Sequence, residues 1–97
     1  EVTGWMGTTL KNIETEGEQS ACGLPDKNGV LLLRVPGGSL AEKSGLRAGD
    51  VIRSLDQKPV ANTGEMLSTL RLCSWKDKIP ATIIRHQQEK HLIIFLR

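Results

Sequence analysis

The segment Gly29–Ile52, GVLLLRVPGGSLAEKSGLRAGDVI, constrains the fold of this chain more than any other. Val30–Val35 is a continuous apolar run, which predicts a strand buried on both faces. Pro36-Gly37-Gly38 breaks it. Ser39 then offers a hydroxyl as helix N-cap, and Glu42 stands three residues later, completing a capping box. The helix is short. Gly45 stops it, because glycine takes the left-handed conformation at a helix end without steric cost. Leu40, Ala41 and Leu46 are its candidate core contacts. A Leu-Arg-Ala-Gly-Asp turn leads into a second strand, Asp50–Leu55.

The flanking chain extends this pattern. Gly4–Ile13 reads as a turn followed by a short strand. Glu14–Asn28 is rich in turn formers, has no apolar period, and predicts a long polar loop. Asp56-Gln57-Lys58-Pro59 is a turn. Asn62 caps a second helix with Glu65 three positions on, and Met66, Leu67, Leu70 and Cys73 recur at helical spacing until about Ser74. Trp75–Lys78 connects to a last hairpin, Ala81–His86 and His91–Leu96, around a polar turn. One hairpin face, Ile83, Leu92, Ile94 and Leu96, lines the core. The other carries Ile84, Ile93 and Phe95, which a solvated sheet face does not need. Either another part of the domain covers them or they dock the rest of a parent chain.

The 97 residues suffice for one domain, 1–97. Such a chain buries roughly two-thirds of its unfolded surface, enough for one modest core. Its first residue is Glu1, so it reads as a piece of a larger protein. No apolar run approaches the ~20 residues that cross a bilayer, so no direct membrane insertion is expected. Net charge is +2, from 13 basic and 11 acidic residues with interspersed signs. There are two Trp, one Phe and no Tyr. Nucleic-acid binding needs a dense basic face, often with stacking aromatics, and is not expected. Cys22, in the polar loop, and Cys73, at a helix end, define no disulfide framework. They are either two unpaired thiols or, in an oxidising compartment, a bridge.

The chemistry-bearing motifs are missing from the sequence. It contains no Gly-x-Ser-x-Gly elbow and no His-Glu-x-x-His pair. His86 and His91 flank a hairpin turn, and with the cysteines they match no structural zinc spacing. Gly37-Gly38 opens a helix but lacks the lysine of a phosphate loop. No catalytic residue, metal site or cofactor is expected.

The order of elements, the Ser44-Gly45-Leu46-Arg47-Ala48-Gly49-Asp50-Val51-Ile52 segment and the final hairpin resemble a PDZ domain over essentially the whole chain. Gly4-Trp5-Met6-Gly7-Thr8, at the start, resembles the carboxylate-binding loop of the bacterial and organellar branch, found in HtrA/Deg serine proteases. The resemblance implies an α+β fold: a partly open β-barrel or sandwich of five to six strands capped by two helices. It implies a non-catalytic module that binds C-terminal or unfolded peptide segments by strand addition. Such a module recruits substrate to, or regulates, an attached envelope serine protease. The compartment would be periplasmic or secreted, or an organelle lumen. A weaker likeness implies an accessory structural module of a secreted hydrolase such as a glycan-degrading enzyme, docked on its own catalytic domain.

By that resemblance, Trp5 opens the loop and the amides of Met6, Gly7 and Thr8 hold the ligand carboxylate. Successive amides in a tight turn make an anion-binding concavity, and glycine permits the angles. The peptide adds beside Thr8, Thr9 and Leu10 and rests on Glu65, Met66 and Thr69, with Leu70 or Leu72 deeper. Met6 and Met66 receive its last side chain. Thr8 departs from the family's usual apolar residue, and Glu65 from the His of many eukaryotic relatives. Glu65 either favours a basic or hydroxyl-bearing ligand residue or serves only as the capping-box acid.

Overall fold

The computed structural model describes Val2, Thr3, Trp5 and residues 7–97. Its strands are β1 (Val2–Thr3), β2 (Thr9–Asn12), β3 (Val30–Arg34), β4 (Val51–Leu55), β5 (Lys58–Pro59), β6 (Lys78–Arg85) and β7 (Gln88–Phe95). Its helices are α1 (Glu16–Cys22), α2 (Leu40–Lys43) and α3 (Thr63–Leu72). The strands make one antiparallel sheet in the order β1-β2-β3-β4-β6-β7, with β5 pairing to β4 beside that path. The α+β architecture is the expected one.

The main core lies on one face of the sheet. Leu10, Val30, Leu32, Ile52, Leu55, Ile83 and Ile94 come from the strands, and Ala41, Met66 and Leu70 from α2 and α3. Each fully buried Ile or Leu contributes about 1.5–3 kcal/mol. Ser39 caps α2 by accepting from the Glu42 amide at 3.1 Å. The Glu42 carboxylate accepts from Gly38, one residue short of the Ser39 amide that a capping box would engage. Gly45 (φ +95) ends the helix, and the Leu46 amide reaches back to the Ala41 carbonyl.

The segment expected to be a loop contains a third helix. Thr15 accepts from the Glu18 amide at 3.0 Å, and Glu18 accepts from the Thr15 amide at 3.2 Å, a full capping box. Gly23 closes α1 in the left-handed conformation. No residue of α1 itself is buried, so it carries no apolar period. Ion pairs from Lys11 to Glu18 (2.7 Å) and Glu14 (3.2 Å) tie this region to β2.

The chain around α1 covers part of the sheet's second face. Ile13, Leu24 and Val51 form a smaller core there, joined by Cys22, Leu31 and Ile84. This resolves the two-sided hairpin. Ile84 is half-buried under that cluster, whereas Ile93 and Phe95 remain 46% and 40% exposed. It also corrects the reading of β3 as buried on both faces. Val30 and Leu32 are buried, but Leu33 lies beyond the small core and is exposed.

The final hairpin is longer than expected. Arg85 pairs with Gln88 around a two-residue turn, so most of the predicted polar turn is strand. His86 and Gln87 take positive φ of 50° and 65°, as do Asp56 and Gln57 (52° and 67°) in the β4–β5 turn. Two-residue turns of this hand match the strand twist, normally with Asn or Gly in these positions.

Candidate functional site

Asp50, the last residue of the Leu-Arg-Ala-Gly-Asp turn, is an internal brace. Its carboxylate accepts from Arg85 Nε at 2.8 Å and Nη2 at 2.7 Å, and from the Arg47 amide at 2.9 Å. Arg85 also donates to the Gly45 carbonyl. The Asp50 carboxylate, with burial opposing it, raises the Arg85 pKa above its ordinary value. This motif fixes the α2–β4 corner to β6 and takes no part in the groove.

The expected groove lies between β2 and α3. Trp5 is half-buried and packs against the main core. Met6 lies outside the described residues. Gly7 is exposed at φ +75, and a Cβ there would stand 3.2 Å from Pro36 Cγ. Thr8 has partners within the chain. Its amide donates to the Trp5 carbonyl at 2.9 Å, its hydroxyl donates to the same oxygen, and the residue is fully buried. The Trp5–Thr8 turn is therefore closed on itself, with that amide already engaged.

Thr9 is half-buried and Leu10 is in the core. The side of β2 away from β3 carries β1, with Val2 opposite Leu10 and Thr3 opposite Thr9. A segment of this chain thus lies, antiparallel, along the edge expected to take a guest strand. At the far end, Asn12 Oδ1 accepts from the Thr63 amide at 2.7 Å and ties β2 to the start of α3.

On α3, Glu65 is exposed and its carboxylate accepts from the Ala61 amide at 3.4 Å, beside the Asn62 cap. That geometry is helix capping. Met66 is fully buried, and Thr69 and Leu70 are nearly so. Of Leu70 and Leu72, the two alternatives for the deeper position, Leu70 is the buried one and Leu72 is 65% exposed. Clefts of about 220 Å³ beside Cys22 and Arg47, and about 370 Å³ beside Pro80 and Ile93, lie away from this groove.

The cysteines are unbridged. Cys22 ends α1, half-buried, rather than sitting in a loop, and burial pushes its thiol pKa up. Cys73 caps the end of α3 and donates to Asp56 at 3.2 Å. Burial, then that hydrogen bond, raises its pKa. His86 sits in the hairpin turn, and His91 faces Thr82 across β6–β7 at 3.3 Å. Among the described residues no cluster of three His, Cys, Asp or Glu is placed to hold a metal.

The chain is 38% identical over 88% of its length to the chloroplastic Protease Do-like 8 of Arabidopsis thaliana. It is 36% identical over 95% of its length to the Serine protease HtrA-like of Staphylococcus aureus. It spans only 21% and 13% of those relatives. Among solved structures, the HtrA3 PDZ domain bound to a phage-derived ligand (FGRWV) superposes with a TM-score of 0.72 at 16% identity. That match covers 93% of this chain and 81% of the other. The HtrA-type protease AlgW with a decapeptide gives 0.69 at 25% identity, over 96% of this chain and 28% of the other. The family model described as PDZ domain matches residues 4–96, and the chain belongs to that family.

Proposed function

We propose that this domain is a non-catalytic peptide-binding module, taking C-terminal or extended segments as an added strand on β2. The observation that carries the reading is β1 itself. It lies antiparallel on β2, with its end leading into the Trp5–Thr8 turn. A guest whose carboxyl terminus reached that turn would run the same way. Main-chain pairing would give affinity, and the α3 side of the groove would give side-chain selection. The candidate contacts are Trp5, Met6, Gly7, Thr8, Thr9 and Leu10 on one wall. Glu65, Met66, Thr69 and Leu70 form the other.

The relatives named as HtrA-like and Do-like proteases support a role in recruiting substrate to, or regulating, an attached serine protease. Names such as periplasmic endoprotease DegP-like and chloroplastic Do-like protease support a bacterial envelope or organelle setting. Affinity on the order of micromolar, about −7 to −8 kcal/mol, suits transient recruitment. Calorimetric titration with free-acid peptides tests the reading, using FGRWV and versions ending in Ala, Leu or Phe. We expect amidation of the terminus to weaken binding at least tenfold. Equal affinity of acid and amide would contradict the carboxylate role of the loop.

Ile93 and Phe95 favour a second role for the opposite surface. Two exposed large apolar side chains on one strand face suit contact with the catalytic domain of the parent chain.

A further inference from the structure

We infer that the described form of the domain is self-occupied: β1 fills the guest's place on β2, and a peptide binds only by displacing it. The inference rests on the peptide-binding reading above and names how that site is regulated.

Two observations meet at one place. The register Val2↔Leu10 and Thr3↔Thr9 puts two residues of the chain's own backbone on the side of β2 away from β3. One strand edge offers one row of amides and carbonyls, so β1 and a guest cannot both pair there. The turn that joins β1 to β2 is closed in the same form. The Thr8 amide, an expected carboxylate donor, is spent on the Trp5 carbonyl, and the Thr8 hydroxyl reinforces that contact. Met66, the expected pocket wall, is packed into the main core. The edge and one of the expected loop donors are thus satisfied internally.

Occupation by β1 is weak by construction. It spans two residues, against the four of β2 and five of β3. A short strand of this kind is readily exchanged for a longer guest with a carboxylate. A site that is open only part of the time binds with an affinity reduced by the open fraction. Loosening β1 should therefore tighten guest binding without touching the groove walls.

The double variant Val2→Pro, Thr3→Pro tests this. Proline cannot donate to a sheet ladder and disfavours pairing. Titration with the same free-acid peptides is expected to give about tenfold tighter binding than the parent chain, equivalent to 1.4 kcal/mol. In the parent chain, adding peptide should move the Val2 and Thr3 amide resonances to unstructured positions and leave those of Glu16–Cys22 in place. If the parent binds and the variant binds equally or more weakly, self-occupation is wrong and peptide binding stands. Self-occupation is equally wrong if the parent binds while its Val2 and Thr3 signals stay where they were. If neither protein binds any of the peptides, the proposed function fails and this inference falls with it.

Discussion

Arg85 grips Asp50 through two parallel hydrogen bonds of 2.8 and 2.7 Å, and Asp50 is 1% exposed. The pair closes the α2–β4 corner against β6, so the motif's aspartate is structural. Removing Asp50 leaves the half-buried Arg85 guanidinium and the Arg47 amide without their acceptor, which costs about 1–3 kcal/mol. Asp50→Ala should lower unfolding stability by that amount in a urea titration. A loss below about 1 kcal/mol would contradict a buried, paired charge.

The β4–β5 turn places Gln57 at φ +67 with no glycine to absorb it. A non-glycine residue in that region costs about 1–2 kcal/mol. Gln57→Gly should therefore stabilise the domain by roughly 0.5–1 kcal/mol, since the more flexible unfolded glycine offsets part of the gain. Thermal unfolding would register the change as a higher midpoint.

The two faces of β7 should answer mutation unequally. Ile94 is fully buried, so Ile94→Ala should cost about 2–5 kcal/mol. Ile93→Ser and Phe95→Ser remove side chains that are only partly covered, at 46% and 40% exposure, and should each cost about 0.5–1.5 kcal/mol. Comparable losses on both faces would mean that this sheet surface is covered within the domain.

Glu18 is held down to about 2, first by its hydrogen bond to Lys11 and then by the Glu14 amide, from an ordinary 4.5. A carboxylate depressed on folding stabilises the native state above its unfolded pKa. That contribution is lost as pH falls through the folded value. The stability that Glu18 lends to α1 should thus be present at neutral pH and be lost as acid is added from about 4.5 to about 2. Native-state amide resonances of Glu14, Thr15 and Glu18 should shift with a midpoint near the folded value of about 2, and Glu18→Gln should remove that shift.

The sequence is most legible where one signal dominates. Gly45 and Asn62 mark helix boundaries correctly because a glycine stop and a side-chain cap act locally. The segment that forms α1 reads as loop because it buries nothing of its own. Thr15 and Glu18 do hold a readable capping box, but no apolar period accompanies it. The half-covered second face is not legible either. Ile84, Ile93 and Phe95 all lie off the core-facing set of the hairpin, and only the reach of the small core under α1 separates them. At the groove, loop and helix residues are located by resemblance. The spent Thr8 amide and the β1 pairing are hydrogen-bonding outcomes that no local pattern encodes.

The most direct test maps a bound guest by intermolecular nuclear Overhauser contacts in a labelled complex. The guest backbone is expected antiparallel beside Thr9–Asn12, with its last side chain against α3 near Met66 and its carboxylate at the Trp5–Thr8 turn. A guest found instead on the Ile93 and Phe95 face, with β1 still paired to β2, would contradict this placement.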